Sequence, residues 1–277
     1  MPYQAIRMIV MDMDDTLLNK HLQVSAENQA ALKRAQRAGL ILVLASGRPT
    51  PAMSSFADEL NFNNNGYVIS YNGAYVTDWS NQDILFETCL TKSEHDLLVD
   101  IAIDQSGHLH TYVDGHIITQ VENPYTDLEA KLTGMPVRIV NDMKSAVTDK
   151  VPKVLLTGED DNVKQMKETL SRQLGDQFMI SISKPVFLEF TNLAVDKSRG
   201  IDVICEKLAI DKSQVMALGD SYNDLTMIRD CGLGVAMGNA PDDIKAIANE
   251  VTLSCDEHGV AVMINRVIDA IEVAKTT

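Results

Sequence analysis

The chain has 277 residues, 39 acidic and 24 basic, for a formal charge of −15, with hydrophobic residues at 45% and charged residues at 23%. Domains usually run to roughly 100–200 residues, so this length favours two of them; the composition argues against disorder, and no stretch approaches the roughly 20 apolar residues of a membrane span. An acid excess of this size, with Lys and Arg scattered, repels a polyanionic backbone and sets nucleic acid aside, and it obliges any phosphate site to bring local positive charge from a metal, a lysine or backbone amides.

In chain order, the apolar run Ile6–Met11 predicts a strand buried on both faces of a parallel sheet, with an acidic cluster at its C-terminal end. Ser25 as N-cap, Glu27 in the first turn and Gly39 at the far end frame a helix through Ala38, and Leu40–Leu44 is a second buried strand. The stretch Asp83–Glu189 reads differently. It carries short strands (Leu109–Val113, His116–Thr119, Val154–Thr157, Phe178–Ser181, Val186–Phe190) among helices such as Ser93–Gln105 and Asn162–Leu174. The first rhythm then resumes: helix Gly200–Leu208, strand Val215–Leu218, helix Asn223–Arg229, strand Leu233–Ala236 and helix Asp242–Asn249. The expected organisation is a Rossmann-like, doubly wound α/β core of residues 1–82 and 191–277, with an inserted α+β domain at 83–190. The linkers near Trp79–Gln82 and Thr191–Ala194 are too short for disordered tethers.

Cys89, Cys205, Cys231 and Cys255 lie far apart without a C-x-x-C pair, so they read as reduced thiols and as neither a zinc ribbon nor a disulfide framework. Met1–Val10 lacks the charged and long apolar regions of a signal peptide, which makes a cytoplasmic location the expectation. Met8, Met11, Met13, Met216 and Met227 sit in apolar runs and read as core filler, while Trp79 and Tyr71, near the first linker, fit contact with a ligand and an aromatic-packed hinge equally well.

Four polar clusters fall at strand ends or at a helix start, where open α/β sheets bind ligands. In Asp12-Met13-Asp14-Asp15-Thr16, carboxylates two residues apart project to one side if the chain stays extended; their repulsion calls for a hard cation such as Mg²⁺. Asp12 can then attack phosphorus, and Asp14 can protonate the leaving oxygen and later activate water. Ser46-Gly47-Arg48 offers a hydroxyl and flexible amides to phosphate oxygens, although such turns are common for conformational reasons alone. Lys197, after Asp196 and at a helix start, can neutralise a phosphoryl group together with helix-terminal amides. Gly219-Asp220-Ser221-Tyr222-Asn223-Asp224 places two more carboxylates and an amide at another strand end, with Asp220 as a metal ligand. Each cluster alone can be a capped turn; two acidic strand ends on one rim are hard to justify without a cation.

In this order, D-M-D-D-T, the Ser46 element, Lys197 and G-D-S-Y-N-D resemble the four motifs of the haloacid dehalogenase superfamily. S-Y-N-G-A (Ser70–Ala74) and V-A-M-G-N-A (Val235–Ala240) narrow the resemblance to the Cof-type sugar-phosphatase group, and the insertion is similar to that group's C2-type cap. The resemblance spans nearly the whole chain. It implies a Mg²⁺-dependent phosphatase acting on a small phosphorylated metabolite through an aspartyl-phosphate. Asp12 would be nucleophile and metal ligand, Asp14 the acid/base with its main-chain carbonyl on the metal, and Asp220 the remaining protein ligand. Ser46, Gly47 and Lys197 would bind the phosphoryl group, Asn223 and Asp224 would support the phosphate and the metal's water shell, and Asn72 and Gly73 would line the substrate entrance. Asp15 stands where the family usually has glycine, and its side chain is expected to point away from the metal. His108 and His110 share one face of a predicted strand but lack a third ligand; they stay outside the metal site, with His110 a candidate for specificity only. The alternatives are a phosphotransferase or mutase on the same scaffold and a non-catalytic metabolite-binding protein.

Overall fold

Met8–Met11 forms the first strand (β1), and all four side chains are fully buried, as an unbroken apolar run requires of a strand covered on both faces. The computed structural model describes residues 3–105 and 107–276, with the backbone alone for Thr276. After β1 come α1 (Ala26–Arg37), β2 (Ile41–Ala45), α2 (Thr50–Glu59), β3 (Gly66–Ser70), β4 (Tyr75–Asp78) and β5 (Asp83–Glu87). The next stretch holds α3 (Lys92–Asp104), β6 (His108–Val113), β7 (His116–Thr119), α4 (Pro124–Thr133), β8 (Val137–Ile139) and α5 (Met143–Ala146), then β9 (Val154–Thr157), α6 (Asp160–Leu174), β10 (Phe178–Lys184) and β11 (Phe187–Asn192). The chain finishes with α7 (Lys197–Leu208), β12 (Val215–Gly219), α8 (Leu225–Asp230), β13 (Leu233–Ala236), α9 (Asp242–Ile247), β14 (Glu250–Val251) and α10 (Gly259–Thr276). Ser25 caps α1 by accepting the Asn28 N–H, the role its position predicts.

The chain divides into two compact units, Met1–Glu87 with Asp196–Thr277, and Thr88–Val195. In the first, eight strands are ordered β14-β13-β12-β1-β2-β3-β4-β5. Those from β14 to β3 run parallel, and β4 and β5 extend the sheet as an antiparallel meander. Side chains alternate across the sheet, as the strand period demands. Ile9, Met11, Leu42 and Leu44 enter a cluster with Leu32 of α1 and Ile264 of α10. Met8, Val10 and Val43 enter another with Ile201 and Ile204 of α7. The five methionines read as core filler are all fully buried.

The expected boundary at residues 82/83 lies short of the one observed. Asp83–Glu87 pairs with β4 and rests Leu85 and Phe86 on the core, so this strand belongs to the first sheet. At the other side, β11 continues to Asn192 and pairs with β10 inside the second unit.

The second unit has a six-stranded sheet, β10-β11-β9-β6-β7-β8, antiparallel except between β7 and β8. Alternation along β6 sends Leu109 to an apolar cluster with Leu156, Leu188 and Phe190. His108, His110 and Tyr112 take the opposite face. That face carries a buried polar group: Lys153 pairs with Glu189 at 2.8 Å, and the Tyr112 hydroxyl donates to Glu129 at 2.6 Å. His110 is fully buried against Phe187, with Nδ1 3.2 Å from the Thr126 hydroxyl and Nε2 without a partner among the described residues. The Asn123 amide donates to the same hydroxyl. Neither His108 nor His110 belongs to a metal-competent group among the described residues.

Burial, with a smaller contribution from Lys153, pushes the His110 imidazole down to about 3. The unfolded chain's imidazole titrates near 6.5, so the stability that depends on neutral His110 is complete above that pH and is lost as the pH falls towards 3. Between pH 7 and pH 5 the loss is at most about 2 kcal/mol. Urea unfolding at the two pH values should therefore show a smaller pH difference for His110→Gln than for the parent; equal differences would remove His110 as the cause.

Candidate active site

From β1 the chain builds β2 and β3 to one side and later β12, β13 and β14 to the other, so the connections at the carboxyl ends of β1 and β12 diverge. That divergence opens a ligand crevice in a parallel sheet. Asp12 follows β1, and Asp220 follows Gly219, the last residue of β12.

After Asp12 the backbone closes a wide turn, with the Leu17 N–H on the Asp12 carbonyl (3.3 Å) and the Leu18 N–H on the Met13 carbonyl (2.8 Å). Asp14 is extended and Asp15 is left-handed, at φ 57° and ψ 11°. Glycine is the default residue for that conformation and Asp is among the few others that tolerate it, so the departure from the family's usual residue leaves the turn intact. The Asp15 side chain is exposed and outside the acidic cluster, yet its charge reaches Asp220. Thr16 ties the two acidic loops together by donating its hydroxyl to Asp220 Oδ1 at 2.8 Å.

Lys197 is the first residue of α7, whose N-cap Asp196 accepts the Arg199 N–H. Its Nζ lies 2.5 Å from Asp12 Oδ1 and 2.6 Å from Asp224 Oδ1, and the side chains of Lys197 and Asp224 are wholly buried. The second Asp224 oxygen accepts the N–H groups of Asp220 (3.0 Å) and Ser221 (3.1 Å). Gly219 makes room for this carboxylate, because a Cβ there would sit 2.5 Å from the Asp224 Cβ.

Asp12, Asp220 and Asp224 each place one oxygen so that all three lie within 4.8 Å of one another. Three carboxylates share one ammonium, and the imbalance is felt. Burial first, then Asp224, raises the Asp12 carboxyl well above its usual range against the pull of Lys197. Burial likewise raises Asp220 to about 7, with Asp224 and Asp15 adding to the effect and the Thr16 hydrogen bond opposing it. Burial works against the Lys197 charge, but Asp12 and Asp224 prevail and shift it upward. An all-oxygen, under-compensated donor set of this kind fits a hard divalent cation.

The Asp14 carboxylate is not in this cluster. Arg48 grips it with two hydrogen bonds, Nε to Oδ2 at 2.8 Å and a terminal nitrogen to Oδ1 at 2.7 Å. Projection of both carboxylates to one side assumes a chain that stays extended past β1; the turn at Met13–Leu17 separates them and brings Asp14 within reach of the loop after β2.

The remaining residues form a stitched rim. Ser46, at the end of β2, accepts the Asn72 N–H on its carbonyl (2.9 Å) and the Arg48 N–H on its hydroxyl (3.2 Å). Asn223 donates its amide to Asn72 Oδ1 at 3.0 Å, and the Asn72 side chain lies against Gly47. Gly73 sits at φ 108° with the Asp196 carbonyl 2.3 Å from where its Cβ would be, so only glycine lets this turn pack on the backbone that leads into Lys197. Nothing local in the sequence marks the side chains of Arg48 and Thr16 as functional, although both lie inside the motifs; only the fold shows what they hold.

A sequence profile of the haloacid dehalogenase-like hydrolase family matches residues 9–264. The chain is 31% identical over 267 residues to the putative phosphatase YxeH of Bacillus subtilis, covering 95% of this chain and 98% of that one. It is 30% identical over 263 residues to the 5-amino-6-(5-phospho-D-ribitylamino)uracil phosphatase YcsE of the same organism, covering 92% and 93%. The crystal structure of a haloacid dehalogenase-like hydrolase from Bacteroides thetaiotaomicron superposes with a TM-score of 0.90 at 36% identity, over 95% of this chain and 99% of that one. With the motifs in order and the acidic crevice between β1 and β12, the chain belongs to the haloacid dehalogenase-like hydrolase family, in its Cof-type group.

Proposed function

We propose that this protein is a Mg²⁺-dependent phosphatase that hydrolyses small phosphorylated metabolites, sugar phosphates or similar, through a covalent phosphate on Asp12. The observation that carries the reading is the buried Asp12–Lys197–Asp224 pairing beside Asp220, which sets a carboxylate nucleophile next to a fixed positive charge. Support for the reaction class comes from relatives named as phosphatases, one of them for a phosphorylated ribityl compound. The absence of a membrane-spanning helix among the described residues and the four free cysteines support a cytoplasmic setting.

Mg²⁺, when bound, would neutralise phosphoryl oxygens and lower the charge repulsion that resists attack by a carboxylate. Asp12 and Asp220 are the side chains to hold it, with the main-chain carbonyl of Asp14 as the family resemblance implies. Asp224 serves as support, because its oxygens already accept three hydrogen bonds.

In the first half-reaction Asp12 forms the new P–O bond as the ester oxygen departs and takes a proton from Asp14. Lys197, the Ser46 hydroxyl and the Gly47 N–H receive the phosphoryl oxygens. In the second, Asp14 takes a proton from water, which attacks the phosphoryl group, frees Asp12 and releases inorganic phosphate. Arg48 holds Asp14 as a carboxylate, the form that the second half needs; proton donation in the first half requires Asp14 to leave Arg48. Asn72 and Asn223 face the entrance beside Gly73.

Asp12→Asn should abolish hydrolysis of an aryl phosphate with the fold intact by circular dichroism, and chelation of Mg²⁺ should do the same to the parent. Turnover retained in the variant would refute the nucleophile. Free phosphate in stoichiometric amount distinguishes hydrolysis from transfer to another hydroxyl, and a panel of sugar phosphates, nucleotides and phosphorylated cofactors identifies the substrate.

Lys197→Met should leave two buried carboxylates facing each other, at a cost of about 3–5 kcal/mol in the metal-free protein. Thermal melts should show Mg²⁺ raising the Tm of this variant more than that of the parent, since the cation replaces the missing charge. An equal rise in both would place the ion elsewhere.

A further inference from the structure

The V-A-M-G-N-A stretch ends β13 and continues into a turn that the reaction scheme does not use. Its backbone is anchored twice: the Met237 N–H donates to the Gly219 carbonyl at 2.9 Å, and the Gly238 N–H donates to the Leu253 carbonyl at 3.1 Å. Gly238 approaches so closely that a Cβ would lie 2.7 Å from the Ser254 nitrogen. From this fixed base the Asn239 side chain spans two loops. Its Nδ2 donates to the Asp15 carbonyl at 2.8 Å, and its Oδ1 accepts the Cys255 N–H at 3.0 Å. The orientation of the amide is unambiguous, because a carbonyl only accepts and a backbone N–H only donates.

We propose that Asn239 is a positioning residue for phosphoryl transfer: a clasp that holds the left-handed Asp15 turn, and through it sets Asp12 and Asp14. The inference rests on the phosphatase reading above. Asp15 needs the clasp more than glycine would, since a side chain at φ 57° is held against its own conformational preference. Other ties hold the flanks of the wide turn: two backbone bonds close it, from the Leu17 and Leu18 N–H groups, Thr16 reaches across to Asp220, Arg48 grips the Asp14 carboxylate, and Asn28 donates to the Leu17 carbonyl. Asn239 acts on the left-handed peptide itself, through the Asp15 carbonyl. Loss of the Asn239 donor lets the Asp15 peptide rotate, and a small displacement of the reacting groups lowers the rate of chemistry more than it weakens binding.

The experiment uses the full-length protein with Mg²⁺ and an aryl phosphate. Asn239→Ala should lower kcat about fivefold with KM within about twofold, the scale of one net hydrogen bond. Asn239→Asp keeps the acceptor for the Cys255 N–H but not the donor for Asp15, and it should be at least as slow; full activity in this variant would show that the Cys255 contact alone matters and overturn the clasp. Placing Asp15→Gly beside Asn239→Ala should shrink the loss, because glycine occupies the left-handed region freely. A loss of equal size in both backgrounds, or an unchanged kcat in Asn239→Ala, likewise overturns it. Hydrogen exchange at the Leu17 and Leu18 amides gives a readout independent of turnover. It should quicken severalfold in Asn239→Ala, and unchanged exchange refutes the clasp. Absence of turnover in the parent would defeat the phosphatase reading, and the exchange rates would still decide the role of Asn239.

Discussion

One ammonium group between two buried carboxylates governs this site. Lys197 can be wholly buried only because Asp12 and Asp224 lie within 2.6 Å of it, and they can be buried only because it is there. The three come from the end of β1, the start of α7 and the loop after β12, so the pairing fixes those elements against one another. Small residues serve the same end. Gly219 leaves space for the Asp224 carboxylate, and Gly73 lets the turn after β3 press on the backbone at Asp196. The arrangement remains acidic in sum, with Asp220 added to the cluster, which is what prepares it for a cation.

The protein solves in this way the problem posed by its formal charge of −15. An anionic ligand approaching such a surface meets repulsion unless the local field is reversed. Lys197, Arg48 and the first turn of α7 supply positive potential on the crevice side. Both side chains are themselves paired with carboxylates: Arg48 with Asp14, and Lys197 with Asp12 and Asp224. The cationic side chains on the crevice side are therefore already engaged, and an arriving anion has to exchange one set of charge contacts for another.

Much of the architecture was legible in the sequence. The ranges read for His116–Thr119, Val154–Thr157 and Leu233–Ala236 coincide with strands, because apolar runs bounded by turn residues leave little latitude. Ser25 and Gly39 framed α1 for local reasons of capping. The reading did not delimit α2, α10 or the pair β3 and β4, and it assigned Asp83–Glu87 to the insertion. That strand is exposed at Asp83, Ile84 and Glu87 and only partly buried at Leu85 and Phe86, without clean alternation, so only its pairing with β4 reveals which sheet it joins. At the site, residue types and order were legible, since carboxylates at strand ends are conspicuous. Partners were not. The grip of Arg48 on Asp14 follows from a left-handed residue and a wide turn, and the pairing of Lys197 with Asp12 spans 185 positions; neither leaves a local trace.

The position of β1 at the centre of its sheet bears on how the protein is made. β1 is synthesised first, but its neighbour β12 begins only at Val215. At about 5–20 residues per second on the ribosome, the intervening stretch takes roughly 10–40 s to appear. Throughout that interval a wholly apolar strand presents a row of unpaired peptide groups on one side, an invitation to pairing with other nascent chains. The second unit lies between these strands in the chain and can mature during the wait. The catalytic crevice is thus among the last features to close, since its β12 side emerges only after the second unit and α7.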